Sequence, residues 1–285
     1  MNFYLRFHKA LSGRKRNGGV PAAQSVPLNE LENVKPTSEY ASDVEKHFED
    51  AFKEYQSDTG KAITEEDMLK LEKQMQDLTN SDEVYIGIRF NMDDMEKIVL
   101  SGRFKSQFEI GSSHGLFDPG YRMEVEEAEM GYSKNLKAQD RPIYGMLFEA
   151  KDLSKMQFSN LTSSEHYGDA VAIFKHDVKK HATVTFDDSL DSYIDSRLYP
   201  SSLLNPSRHS ISTDAVHRVY NTIKGGKKVD LKNLTGLFSY AEVQIHNRQA
   251  TVSNIERIIF PKGIPSFKLP LDVLEENDIS WSIEK

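Results

Sequence analysis

The chain has no cysteine. That excludes a disulfide scaffold, a thiol nucleophile and thiolate-held zinc or iron–sulfur centres. No apolar run approaches the length of a membrane span, so no transmembrane helix is expected. Positive charge is the minority: 36 Lys and Arg stand against 44 Asp and Glu, a formal net of −8. General nucleic-acid binding needs a positive surface or a clear basic patch, so a nucleic-acid partner is not expected. There is also no GxGxxG after a strand, no phosphate-loop signature and no HExxH. The nine His residues are scattered, without a pair at helical metal-ligand spacing, and no metal site is expected.

What is present suffices for a core: 38% of the 285 residues are hydrophobic and 10% aromatic. Residues 1–38 read as a flexible basic leader. Arg6, Lys9, Arg14, Lys15 and Arg16 interrupt any apolar stretch, the first acidic residue is Glu30, and Gly18-Gly19, Pro21, Pro27 and Pro36 punctuate it. The sharper reading of this leader is an export segment of the kind bacterial effectors carry. Residues 39–80 read as a helical extension. Tyr40, Val44, Phe48, Phe52 and Tyr55 recur at three- and four-residue steps, and Thr64-Glu65-Glu66-Asp67 marks a second helix start before Met68, Leu71, Met75 and Leu78.

From residue 81 the texture changes. Val84–Phe90 is rich in β-branched and aromatic residues and reads as a strand; a helix through Leu100 ends at Gly102. Further strands are expected near 142–148, 169–174, 182–186, 238–245 and 255–260, with a long loop over 188–212 and a helix near 213–223. Residues 81–270 form the main domain in this reading, and 271–285 an acidic tail. Short strands with helices clustered before and between them indicate an α+β fold.

Three polar features stand out. Arg89 lies inside an apolar strand. It either faces solvent or forms a fixed guanidinium fork for a phosphate or carboxylate. The segment Gly102-Arg103-Phe104-Lys105-Ser106-Gln107-Phe108-Glu109-Ile110-Gly111-Ser112-Ser113-His114-Gly115 combines small residues, which admit close backbone approach, with hydroxyls that orient a ligand; by itself it is a polar loop. In strand geometry Tyr240, Glu242, Gln244 and His246 share one face, which is either the wet side of a sheet or a catalytic face with a carboxylate.

In this order the three features resemble the mono-ADP-ribosyltransferase superfamily, in which an Arg on the first core strand, a small hydroxyl residue and a Glu on a late strand share a site. The segments Gly102–Glu109, Arg141-Pro142-Ile143-Tyr144-Gly145, Thr183–Ser189 and Ala241–His246 are similar to a widespread bacterial family, itself similar to secreted effectors that ADP-ribosylate a threonine of host ubiquitin. The resemblance spans roughly residues 83–262. It implies a split β-sheet core, with residues 81–270 as the catalytic domain, and NAD⁺ as co-substrate. It also implies a protein acceptor in a host cell, ubiquitin threonine first, with the enzyme secreted and delivered into the host cytoplasm. Glu242 would stabilise the oxocarbenium-like state at the ribose, and Arg89 would hold a phosphate or the ribose. Ser112 or Ser113 would support the Glu or line the nicotinamide site, with Ser189 as second choice for the serine element. Arg103, Gly111, Tyr144 and Tyr240 complete the expected NAD⁺ site. Among them Arg103 is a second phosphate contact and Tyr144 a stacking face for nicotinamide, with an ordinary core tyrosine as the alternative. Tyr167-Gly168 is a weaker candidate for a substrate-facing turn. Tyr240 stands where arginine-modifying members carry Glu or Gln, which speaks against an arginine acceptor. Two other functions remain in view: a non-catalytic binding module on the same fold, as in a phage-structural or host-interaction protein, and an NAD⁺ glycohydrolase.

Overall fold

The computed structural model describes residues 31, 34–112, 118–153, 167–192, 197–235, 240–263 and 270–283. Nearly all of the leader, and Ser113 among the candidate site residues, lie outside this set.

Two amphipathic helices come first, α1 (Ser38–Thr59) and α2 (Glu65–Thr79). Thr37 caps α1 through its hydroxyl, and Thr64 and Asp67 form a reciprocal capping box at α2. The other α-helices among the described residues are α3 (Met95–Ser101), α4 (Gln107–Ile110), α5 (Pro119–Met130), α6 (Ser189–Ser192), α7 (Val216–Lys224), α8 (Leu231–Leu234) and α9 (Leu271–Glu276). None is long and apolar enough to cross a membrane. The strands are β1 (Val84–Phe90), β2 (Ile143–Glu149), β3 (Ala170–Phe174), β4 (Ala182–Thr185), β5 (Ser201–Ser202), β6 (Ala241–Ile245), β7 (Ile255–Phe260) and β8 (Ser280–Ile283). They form one sheet in the order β5-β4-β6-β2-β1-β3-β7-β8, antiparallel except for β7 and β8. The fold is α+β.

The apolar stripe of α1 buries Tyr40, Val44, Phe48 and Tyr55. Phe52 and Tyr55 meet the Tyr220 ring of α7 edge-on, and Tyr55 Oη donates to Asn221 Oδ1 at 3.1 Å. The buried faces of α1 and α2 join the strands in one apolar core, where each fully buried large side chain contributes roughly 1.5–3 kcal/mol.

Besides short pieces such as α4, α6, β5 and α8 in segments read as loop, two longer segments depart from the sequence reading. Helix α5 was not anticipated. Its inward face carries Arg122, Glu126 and Glu129 beside Tyr121, Val125 and Met130, so buried charges break the apolar periodicity that betrays a helix. The surviving signal was punctuation: the Asp118 side chain caps the first N–H groups, Pro119 follows, and Gly131 ends the helix. The segment read as an acidic tail supplies α9 and the edge strand β8, which pairs in parallel with β7.

The sheet changes partner at β1. Val84–Gly87 pairs with β2, and Gly87–Phe90 pairs with β3. Beyond Gly87 the ends of β1 and β2 are no longer paired with each other, and a cleft opens there. A Cβ on Gly145 would sit 2.6 Å from the Gly87 carbonyl oxygen, so the crossover needs a bare backbone at that point. Gly168 braces the end of β1. Its φ is +128°, and a Cβ there would come 2.3 Å from the Phe90 carbonyl carbon and oxygen. Gly168→Ala combines a forbidden conformation with a backbone clash, and is expected to cost at least about 2 kcal/mol in chemical denaturation. A change below about 0.5 kcal/mol would show that the turn is not held in this form.

Candidate active site

The splayed ends of β1 and β2 frame a cleft of about 510 Å³, within the roughly 300–1,000 Å³ of small-molecule sites. Arg89 reaches it from the end of β1 that pairs with β3 but not with β2. Glu242 reaches it from β6, where it lies opposite Met146 of β2 and Thr185 of β4. The guanidinium and the carboxylate, far apart in the chain, line one cavity.

Glu242 is 5% exposed. Ser189 Oγ donates a short hydrogen bond to its Oε1, and Gln244 Nε2 donates to the same atom at 2.9 Å. Arg122 Nη1 in turn donates to Ser189 Oγ at 3.1 Å. Burial pushes the Glu242 carboxyl up to about 7, and the nearby Asp188 charge pushes the same way; Arg122 and the two hydrogen bonds oppose them.

The rest of that β6 face is not wet. Gln244 and His246 are buried. Thr183 Oγ1 donates to Gln244 Oε1 at 2.8 Å and lies 2.8 Å from His246 Nε2, whose Nδ1 is 2.5 Å from Tyr132 Oη. Gln244 Nε2 also reaches Thr185 Oγ1 at 3.2 Å. Burial depresses the His246 imidazole to about 3, so it stays neutral at physiological pH. A continuous polar layer thus backs the cleft and orients Glu242 from behind.

Helix α5 covers this layer. Glu126 is ion-paired with Arg141 and accepts from Tyr144 Oη at 2.8 Å. The Arg122 guanidinium lies over the Tyr144 ring, 4.3 Å from its centroid. One face of the Tyr144 ring, which lines the cleft, is therefore taken by Arg122. Burial raises the Glu126 carboxyl, with Arg141 and Arg122 opposing it, and drives Glu129 well above the usual range, reinforced by the Glu242 charge.

The remaining expected residues fall out as follows. The serine that bonds Glu242 is Ser189, the second choice from sequence; Ser112 lines the cleft wall, and Ser113 lies outside the described residues. Arg103 also lines the cleft, but its two Nη atoms donate to Glu109 at 2.6 and 2.8 Å, so contact with a phosphate requires releasing that fork. Gly111 caps the end of α4 and is not part of the wall. Tyr240 lines the cleft and donates to Asp188 Oδ2 at 2.7 Å, and Tyr167 stands in the same wall. Sequence reasoning missed Arg122, Glu126 and Asp188. Arg122 and Glu126 were hidden in an unrecognised helix. Asp188 sits beside Ser189 in a segment that drew notice only through resemblance. Away from this wall, Glu54, Asp58 and His217 bring ligand atoms within 4.8 Å of one another, with both acids exposed.

No protein-family model matches the chain. Two phage proteins are similar in sequence, each called Gene 2 protein. That of Mycobacterium phage D29 is 26% identical over 200 residues, covering 67% of this chain and 69% of its own length. That of Mycobacterium phage L5 is 27% identical over 202 residues, covering 65% and 67%. Neither name states an activity.

Proposed function

We propose that the chain is an NAD⁺-dependent mono-ADP-ribosyltransferase acting on a protein acceptor. One observation carries the reading: Arg89 and Glu242 line the same cleft, where Glu242 is held by Ser189 and Gln244. The donor set suits NAD⁺. The Arg89 guanidinium matches a phosphate. Tyr144 lines the same cleft, and its aromatic ring suits the flat cationic nicotinamide. Glu242 is the group for the anomeric centre, where its carboxylate stabilises developing positive charge and accepts from a ribose hydroxyl. A cationic nicotinamide beside Glu242 favours its ionised form, so substrate binding itself draws the carboxyl below its free value. Ser189 keeps one Glu242 oxygen in place, and Arg122 keeps Ser189 in place.

The sequence-level resemblance makes ubiquitin threonine the first acceptor to test, and the likeness to two phage proteins adds bacterial proteins to the search. Incubation with labelled NAD⁺ and either ubiquitin or whole-cell lysates, followed by mass spectrometry, decides between transfer and hydrolysis. Nicotinamide release without labelled protein would point to a glycohydrolase; absence of release would remove the enzyme reading. Arg89→Ala is expected to raise the KM for NAD⁺ about 10-fold or more, as expected for the loss of a charge-assisted phosphate contact. Arg89→Lys is expected to recover only part, because an ammonium lacks the fork. An unchanged KM in Arg89→Ala would detach Arg89 from the donor.

A further inference from the structure

Two carboxylates besides Glu242 line the cleft, and cleavage of NAD⁺ requires neither: Asp94, which is ion-paired with Lys97 at 2.7 Å, and Asp188. Asp188 lines the same wall as Glu242, half-buried where Glu242 is buried. Its position is set from two sides: Oδ1 accepts from the Leu190 N–H at 2.8 Å, and Oδ2 accepts from Tyr240 Oη at 2.7 Å. Tyr240 is itself anchored on the strand that carries Glu242, two residues before it, so the two carboxylates are tied to one frame. Capping α6 explains the first bond. It does not explain the second, nor the placement of a carboxylate at a cavity wall beside another. Two carboxyl groups in one site with different burial are the pattern of divided acid–base labour.

Resting on the transferase reading, we propose that Asp188 is the general base that takes the proton from a side-chain hydroxyl of the acceptor protein. In that step the bond between the anomeric carbon and nicotinamide breaks, and its electron pair leaves with the nicotinamide nitrogen. The acceptor oxygen forms the new bond to the anomeric carbon, and its proton passes to an Asp188 oxygen. A hydroxyl is the class of acceptor that fits. Each Asp188 oxygen accepts one hydrogen bond and keeps a second lone pair that can take the proton of an acceptor O–H, whereas a guanidinium holds its protons too tightly to yield one to a carboxylate. The exposed Tyr167 and Ile110 side chains line the same cleft, so its mouth is open to a protein surface.

The test is the ratio of protein transfer to nicotinamide release, measured with labelled NAD⁺ on the full chain and on Asp188→Asn. General-base assistance is worth about 100-fold or more. Transfer is therefore expected to fall by at least about 100-fold and release by less than about tenfold, with modified sites in the unaltered protein mapping to Ser or Thr. Equal losses of both, an unchanged ratio, or modification mapping to Arg would overturn the assignment. If Asp188→Asn does not fold, Tyr240→Phe decides. It leaves the carboxylate but removes one anchor, and the ratio is expected to fall several-fold; a ratio equal to that of the unaltered chain would overturn the proposal. Absence of nicotinamide release from the unaltered chain would instead remove the transferase reading itself, a result distinct from any of these.

Discussion

Glu242→Gln is expected to lower nicotinamide release about 100- to 1,000-fold, the effect of removing one charge-stabilising group from a preorganised site, while making the fold more stable in alkaline solution. The second effect follows from linkage. The Glu242 carboxyl is raised from 4.5 to about 7 in the folded protein. Its contribution is fully present below about pH 4.5 and is lost as pH rises through about 7, because above that pH folding must keep a charge buried. A shift of this size corresponds to roughly 3 kcal/mol, at 1.36 kcal/mol per unit. Glutamine keeps the shape and an oxygen that accepts from Ser189 and Gln244, yet it carries no charge. Melting in a pH series checks the prediction. Near pH 8.5 the variant is expected to melt several degrees higher than the unaltered chain, and below pH 5 the gap is expected to close. Activity of the unaltered chain is expected to rise with pH through the same region as the carboxylate forms. A variant that is less stable at every pH would show that Glu242 is not the buried, raised carboxyl described above.

The second large effect is on stability. Arg141→Met is expected to destabilise the protein by about 3–5 kcal/mol, the usual result of leaving one member of a buried ion pair behind. Arg141 and Glu126 have side chains 2% and 0% exposed, so water cannot replace the missing partner. Arg141 also donates to the Lys134 carbonyl at 3.1 Å and lies over the Phe108 ring, and the same change removes those contacts. The double variant Arg141→Met/Glu126→Leu is expected to recover much of the loss, because an apolar pair of similar volume carries no desolvation penalty. Urea denaturation of the two single variants and the double variant measures the coupling. Additive losses would mean that the pair is not a unit. Because Glu126 also accepts from Tyr144 Oη, the double variant is expected to fold well and still bind NAD⁺ less tightly.

How much could be read beforehand depended on whether the signal was local. The stripes of α1 and α2, the strand Val84–Phe90 and the strand Ile255–Phe260 were legible because apolar spacing reports directly on which face is buried. Arg89 was legible as a candidate because a charge in an apolar strand needs a reason, whereas Glu242 stood out among the polar residues of its strand face only through the resemblance. Helix α5 was not legible, for the same cause in reverse: Arg122, Glu126 and Glu129 occupy its buried face, and their burial is tolerable only through partners on other elements. The serine element was ranked with Ser112-Ser113 ahead of Ser189, because which serine meets the carboxylate is not written in the local sequence. The polar face of β6 was equally undecided between solvent and site.

By itself, then, the sequence determined the α+β class, most of the strands and the two N-terminal helices, because hydrophobic periodicity is written along the chain. Only the tertiary structure decided that β1 abandons β2 beyond Gly87 and opens a cleft there, and that Ser189 rather than Ser112 holds Glu242. It alone decided that Arg122 and Asp188 line that cleft and that Glu126 holds Tyr144 in its wall. The reason is physical: hydrogen-bond partners and burial are properties of groups brought together across long stretches of chain, and no local pattern encodes which distant group will neutralise a buried charge.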